Sequence, residues 1–183
     1  MANGFLQKPG LDYHEVFAPV ARIETIRLVV VIASYREWLL YQLDVKSTFL
    51  NGPLDKESYE SQPLGFEGKG QEDQVNKLKK ALYGLKQAPR AWNKRINSFL
   101  MQQKFVKCTI KHGVYIRNSI ALHPLIVCLY VDVLLVFGSN EAFSCIKRSM
   151  RSISWRDSTW LIVIQLLLQL KQVSNFKKKE VSN

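Results

Sequence analysis

The stretch that most constrains the fold is Leu125–Gly138, LIVCLYVDVLLVFG, which contains a single charged residue, Asp132. A run this apolar is typical of a buried strand, or of two strands joined by a tight turn. A carboxylate within such a run is costly to bury unless it is hydrogen-bonded, ion-paired or bound to a metal. Asp132 is therefore predicted either to lie at the tip of a buried hairpin or to hold a cation.

A second carboxylate has a similar setting, because Asp44 lies near the end of a predicted strand, Leu39–Val45. Two acids at two strand ends could converge on a divalent ion, and Mg²⁺ in phosphoryl-transfer sites is held by few carboxylates plus substrate phosphates. The residues alone leave an alternative open, in which Asp132 is a turn residue and Asp44 caps a helix, because turns favour aspartate.

The composition suits one domain with a core and a polyanionic partner. Of the 183 residues 47% are apolar, and 26 Lys and Arg against 15 Asp and Glu give a net charge of +11. Nucleic acid is the commonest partner of such a chain. The alternative is a basic surface that is simply solvated.

The cysteines and the amino end indicate a reducing environment. Three cysteines without paired spacing predict neither a disulfide partner nor a zinc site, and Cys128 is predicted to be a small core residue. No apolar leader opens the chain, so we expect an intracellular location, cytoplasmic or nuclear, and no membrane span.

The periodicity predicts an α+β domain with helices packed on one face of a largely antiparallel sheet. The predicted helices are Ile23–Trp38, facing the sheet through Ile23, Ile26, Val30 and Ala33; Pro89–Gln103, with the inward stripe Trp92, Ile96, Phe99 and Leu100; and Glu141–Ile153, capped by Asn140. The predicted strands are Leu39–Val45, Tyr59–Gln62, Val75–Leu82, two within Phe105–Arg117, and a pair within Leu125–Gly138.

The segment Lys77–Trp92, KLKKALYGLKQAPRAW, interleaves basic residues with Tyr83 and Trp92. This pattern suits a phosphate-contacting surface with stacking rings. The alternative is an exposed basic strand followed by a helix whose tryptophan belongs to the core. We favour the core for Trp92 and nucleic-acid contact for Lys86 and Arg90.

Four blocks in this order carry a resemblance: FAPVAR at 17–22, QLDVKS at 42–47, LYGLKQAPRAW at 82–92 and YVD at 130–132. Together they resemble the reverse transcriptase of copia-type LTR retrotransposons, especially those of plants, from about Gly4 to Met150. The resemblance implies a fingers–palm fragment with an antiparallel palm sheet over residues 1–153, from a Pol polyprotein. It also implies an RNA-directed DNA polymerase that adds deoxynucleotides to a primer 3′-hydroxyl on an RNA or DNA template, with two Mg²⁺ ions.

The resemblance also implies roles for particular residues. Asp44 and Asp132 match the catalytic aspartates, and the implied metal site comprises Asp44, Val45 and Asp132. Phe49 matches the aromatic residue that excludes ribonucleotides, and Tyr83, Gly84 and Lys86 match the segment lining the nucleotide and template pocket. The residues expected to contact nucleic acid are Lys77, Lys79, Lys80, Arg90 and Lys94.

This copy departs from the family pattern. Val133 replaces the second aspartate of the Tyr-Val-Asp-Asp turn, so it offers no metal ligand, and valine suits poorly a tight turn that requires positive φ. We therefore expect this copy to be inactive. In the family a basic strand precedes the position of Met1, so we also expect truncation at the amino end. The segment Ser152–Asn183 does not match the family's next strand pair, so we expect residues 154–183 to be degenerate or frameshifted. The rival hypotheses are a noncatalytic nucleic-acid-binding remnant, an unstable product that aggregates through Trp160–Leu170, and an interfacial membrane helix at Trp160–Lys179.

Overall fold

The computed structural model describes residues 2–63, 65–71, 73–118 and 124–144. The predicted segment 154–183, including Trp160–Leu170, and most of the predicted helix Glu141–Ile153 lie outside the described residues. The chain divides into two compact units, each built from two stretches of sequence. The first unit comprises Met1–Pro19 and Ser47–Phe99, and the second comprises Val20–Lys46 and the chain from Leu100 onward.

The elements follow the predicted order. The helices are α1 (Ile23–Tyr35) and α2 (Ala88–Gln102), and residues 140–144 are also helical. The strands are β1 (Leu39–Asp44), β2 (Tyr59–Ser61), β3 (Val75–Lys77), β4 (Val106–Lys107), β5 (Val114–Arg117), β6 (Leu125–Tyr130) and β7 (Val133–Gly138). Among the described residues, no helix combines the length and apolarity needed to cross a membrane.

The second unit is organised around an antiparallel five-stranded sheet in the order β1-β7-β6-β5-β4. Strands β6 and β7 form the predicted hairpin, in which Tyr130 pairs with Val133 across a two-residue turn. Strand β7 then pairs along its whole length with β1, so that Leu39 lies opposite Gly138 and Asp44 lies opposite Val133. This register brings the two predicted acidic strand ends to the same end of the sheet.

Helix α1 packs on this sheet through one face only. Ile26, Val29 and Ala33 are buried in a core with Cys128 and Phe137. The predicted face was half wrong, because Ile23 and Val30 are 50% and 40% exposed. Leu28 and Val31 are also exposed, so this helix is not buried all round despite its apolar sequence. The sheet covers α1 from one side, and the apolar residues on the other side of the helix remain partly exposed.

Helix α1 ends at Tyr35, three residues before the predicted end. Glu37 has a left-handed φ of 55°, its N–H donates to the Ser34 carbonyl, and the N–H of Trp38 donates to the Ala33 carbonyl. Such a left-handed residue ends many helices, although glycine is its usual occupant. The chain therefore turns back into β1 earlier than periodicity indicated.

Helical residues lie on both faces of the sheet, rather than on one as predicted. Leu40 pairs with Phe137, which belongs to the core under α1, so the neighbouring Tyr41 points to the opposite face. The Phe143 ring meets the Tyr41 ring edge-on at 4.7 Å between centroids. The cap of this last helical segment is Ser139, whose Oγ accepts from the Ala142 N–H at 3.2 Å, and not the predicted Asn140.

The first unit contains the β2–β3 hairpin and the first part of α2. Its core joins Ala81, Leu85, Ala88 and Ala91. Strand β3 stops at Lys77, five residues short of the predicted Leu82, because its partner β2 begins at Tyr59, directly opposite Lys77. The predicted apolar stripe of α2 is confirmed, since its four residues, Trp92, Ile96, Phe99 and Leu100, are all buried.

Candidate active site

Asp44 and Asp132 lie at neighbouring positions at one end of the sheet. Asp44 ends β1, and Asp132 is the second residue of the turn between β6 and β7. The Val45 N–H donates to the Asp132 carbonyl at 3.1 Å and continues the β1–β7 pairing into the turn. Because opposed Cα atoms in such a ladder lie about 4.5–5.5 Å apart, the two aspartate Cα atoms lie within about 9 Å. The predicted convergence of the two acidic strand ends is therefore present.

Val133 is not in the turn, which corrects the expectation about its backbone. The left-handed φ, 56°, belongs to Val131, while Val133 is the first residue of β7 and pairs with both Asp44 and Tyr130. A β-branched residue suits an extended strand and is unusual at left-handed φ. The strained position of the turn is thus Val131, and Val133 fits its extended strand position without backbone strain.

The donor groups at this end of the sheet suit one divalent cation better than two. The side chain of Asp44 is exposed and that of Asp132 is half-buried, so both carboxylates are open to solvent. Val45 is buried and has only backbone atoms to offer. Within the described ranges, no cluster of three or more His, Cys, Asp or Glu side chains could hold a metal ion. Two carboxylates plus substrate phosphates match the usual environment of one Mg²⁺ ion.

Tyr130 is a neighbour of this site for which no separate role was predicted. It lies directly opposite Val133 and is 47% exposed. Residues opposite each other in a ladder project to the same face, so Tyr130, Val133 and Asp44 share one face of the sheet. In the sequence, a tyrosine two residues before Asp132 in an otherwise apolar run is the signal that could have predicted this position.

The residues expected on the nucleotide side belong to the first unit. The rings of Phe49 and Tyr83 pack together with centroids 4.9 Å apart at 47°. Gly84 has a φ of +102°, a backbone conformation that favours glycine. The Lys86 N–H donates to the Gln7 side chain at 2.9 Å, and its ammonium lies 5.8 Å from the centre of the Tyr13 ring. Sequence blocks far apart in the chain are thereby joined around the 83–86 loop.

Three of the five basic residues expected to contact nucleic acid are ion-paired. Arg90 bonds Glu15 at 2.7 Å and the Phe17 carbonyl at 3.1 Å, and Lys94 pairs with Asp55. Lys77 pairs with Glu57, and this contact raises the pKa of Lys77 and lowers that of Glu57.

The other two members of the set, Lys79 and Lys80, are exposed and have no ion pair with any described residue. The acids that pair with the first three are distant in sequence, so composition could not reveal these contacts. Part of the basic charge expected to face nucleic acid is thus already neutralised within the first unit.

Comparisons with known proteins identify the family of the chain. A profile of the reverse transcriptase (RNA-dependent DNA polymerase) family matches residues 1–157. The Pol polyprotein of transposon TNT 1-94 from Nicotiana tabacum is 40% identical over 141 residues, which cover 77% of this chain and 11% of that protein. That of transposon RE2 from Arabidopsis thaliana is 39% identical over 160 residues, 86% of this chain and 11% of that protein. A putative transposon Ty5-1 protein from Saccharomyces cerevisiae is 42% identical over 109 residues, 59% of this chain and 35% of that protein.

An antiparallel sheet that joins two acidic strand ends, together with a family match over most of the chain, defines the class. The chain belongs to the reverse transcriptase family. Its similarity to the TNT 1-94 and RE2 polyproteins places it with the copia-type retrotransposons, as the four sequence blocks predicted. It spans about 11% of the length of these plant relatives. No solved structure matches the chain.

Proposed function

We propose that this chain is the polymerase domain of a retrotransposon Pol polyprotein, and that Val133 has removed its RNA-directed DNA polymerase activity. One observation carries the proposal. Val133 lies directly opposite Asp44 and next to Asp132, so the lost carboxylate belonged to the same small group of acids. A single substitution thus changes the charge of the site without disturbing the sheet.

Some residues of the chain would bind the metal ion, and others would position the nucleotide. Asp44 and Asp132, with the backbone of Val45, would hold Mg²⁺, which when bound supplies positive charge for phosphoryl transfer between a primer 3′-hydroxyl and a deoxynucleotide. Phe49 and Tyr83 would contact the nucleotide, and Gly84 and Lys86 would shape the loop beside it. Positioning of this kind needs no covalent intermediate.

Val133 leaves the site one negative charge short of the three expected in the family. Two divalent ions about 3.5–4 Å apart repel each other strongly unless carboxylates neutralise them. Asp44 and Asp132 would retain one ion, and the second would bind weakly. Loss of one member of a unit that acts together commonly costs orders of magnitude in rate.

Noncatalytic nucleic-acid binding is the second candidate, favoured by the net charge of +11. It needs no carboxylate at position 133. Its mark would be affinity for duplexes of any sequence that falls steeply with salt.

Primer extension on an RNA template with Mg²⁺ tests the first proposal on the full chain. Four proteins would be compared: the original chain, Asp44→Asn, Val133→Asp, and the double variant Val133→Asp with Asp44→Asn. We expect extension by Val133→Asp only. Extension by the original chain that Asp44→Asn abolishes would refute the claimed inactivity, and no extension by Val133→Asp would refute Val133 as its cause.

A further inference from the structure

We infer that a second nucleic-acid-binding surface lies along the outer edge of the five-stranded sheet, formed by residues of the second unit. It consists of four cations around the β4–β5 hairpin, which we term the edge cations: Lys104, Lys107, Lys111 and Arg117. The inference goes beyond the proposed polymerase activity, because it assigns a phosphate-binding role to residues that neither the site nor the family resemblance included.

The charge of this segment is unbalanced. Residues 100–118 contain the four edge cations and His112 but no Asp or Glu. None of the edge cations forms an ion pair with any residue that the structure describes, whereas Lys77, Arg90 and Lys94 of the first unit each do. Cations that form no ion pair with a described residue can bind phosphates without first breaking one of the described ion pairs.

The strand register places two edge cations side by side. Lys107 lies opposite Tyr115, and Arg117 is two residues further along the same strand, so their side chains project to the same face of the sheet. Diagonal neighbours of this kind lie about 7–8 Å apart, within reach of one phosphate or of two adjacent ones. Both residues are half-buried, and long cationic side chains at such positions usually keep their charged ends in water.

The edge cations also extend to the end of the sheet that holds Asp132. The Leu129 N–H donates to the Gly113 carbonyl at 2.7 Å, and Leu129 precedes Tyr130 at the start of the turn. The hairpin loop with Lys111 therefore lies at the catalytic end, while Arg117, opposite Leu125, lies toward the other end. The six residues of β6 run between these two ends of the sheet and span roughly 20 Å. This length matches about six phosphates of one duplex strand.

Protection of the sheet edge against pairing with other chains explains only some of these cations. A lysine on an edge strand discourages pairing with other chains, and β4 is the outer strand of the sheet. That role suits Lys107. It does not explain Lys104 after α2 or Lys111 in the hairpin loop, because neither residue lies in the strand.

Binding of a 20-base-pair RNA–DNA duplex to the full chain, measured by fluorescence anisotropy at several salt concentrations, tests this surface. The edge variant carries Lys104→Gln, Lys107→Gln, Lys111→Gln and Arg117→Gln. The matched control replaces four exposed cations elsewhere, with Lys8→Gln, Arg27→Gln, Arg36→Gln and Lys69→Gln. Each variant lowers the net charge by four, from +11 to +7.

We expect the edge variant to bind at least about tenfold more weakly at low salt, and its slope of log affinity against log salt to fall by about 2 to 3, since each phosphate contact contributes about 0.9. The control should lose less than about threefold and keep its slope. Equal losses in both variants would overturn the inference and leave the edge lysines as protection against strand pairing.

Two further comparisons keep this result distinct from the polymerase proposal. An original chain that does not bind the duplex would overturn both the surface and nucleic-acid binding as a whole. Thermal melting checks that both variants fold; if the edge variant does not, Lys104→Gln with Lys111→Gln, both exposed, is expected to lower the slope by about 1 to 2. Primer extension by Val133→Asp is scored separately, so its failure would not affect this surface.

Discussion

Val133 and Asp44 are directly opposed residues in the antiparallel β1–β7 ladder, and they project to the same face of the sheet. The side chain at position 133 is therefore the nearest cross-strand neighbour of the Asp44 carboxylate. Valine at position 133 places no charge opposite Asp44, whereas a carboxylate there would repel the Asp44 carboxylate.

Val133→Asp should make folding dependent on divalent cations. Like charges directly opposite one another destabilise a strand pair, so we expect a lower melting temperature in EDTA and recovery when Mg²⁺ is added. Val133→Asn, of similar size but neutral, is the control and should show little response to Mg²⁺. A melting temperature of Val133→Asp that ignores Mg²⁺ would contradict the assignment of Asp44 and Asp132 as metal ligands.

Asn93→Ala should destabilise the first unit. Asn93 is buried in α2, and its side-chain amide donates to the Pro19 carbonyl at 3.0 Å. Removing the donor leaves a carbonyl without its partner, at a cost of about 1–3 kcal/mol. Urea unfolding measures the loss, and Ser98→Ala, at an exposed position of the same helix, should change stability by less than about 0.5 kcal/mol. Equal stability of the two variants would contradict a structural role for this hydrogen bond.

Gly52→Ala should be costly for a purely steric reason. A Cβ at Gly52 would lie 2.7 Å from the Ala91 carbonyl carbon and the Trp92 nitrogen in the backbone of α2. Overpacking of this kind costs about 1–3 kcal/mol, because a helix backbone cannot shift alone. Gly68→Ala is the matched control, since its nearest contact would be 3.4 Å and neither glycine has positive φ. Unfolding experiments that rank Gly68→Ala as the more damaging change would refute the close packing of Gly52 on α2.

Alkaline pH should weaken the second unit through Cys128. Burial raises the pKa of this thiol from 9.0 to about 11. Below pH 9 the thiol is neutral in both states, but between about pH 9 and 11 only the unfolded state ionises, so stability falls as pH rises through that window. The loss should be roughly 1 to 3 kcal/mol.

Chemical denaturation at pH 8 to 11 in Cys128→Ala provides the comparison. The variant has a small cavity and lower stability throughout, but its stability should fall less across this pH window. The raised pKa values of Tyr41 and Tyr115 act equally in both proteins, so the difference isolates the thiol. Parallel pH curves would show that Cys128 is not the group responsible.

The spacing of apolar residues predicted a helix or strand well where one repeat, or one long apolar run, dominates the segment. The Leu125–Gly138 hairpin and the inward stripe of α2 are confirmed, because a long apolar run and a 3.6-residue repeat each admit few alternatives. Helix α1 shows the limit of this reasoning. Its apolar residues surround the helix, so hydrophobicity alone could not determine that Leu28 and Val31 face outward.

The details of the site depended on contacts that no local pattern encodes. The pairing of Asp44 with Val133 joins strands that are far apart in the sequence, and register is set by the whole sheet. The left-handed backbone falls on Val131, whereas turn chemistry would have predicted glycine or asparagine there. The roles of Asp44, Asp132, Phe49 and Lys86 in polymerisation stay predictions, which the primer extension experiment addresses.

The division of the chain between the two units has a consequence for its biosynthesis. Each unit takes one early and one late stretch of sequence, because the chain passes between them after Pro19, Lys46 and Phe99. During translation β1, which ends at Asp44, is synthesised long before β7, which begins at Val133, so β1 remains unpaired on the nascent chain until β7 is made. An open strand of this kind can pair with other chains, so early pairing with β7 limits misassembly of the second unit.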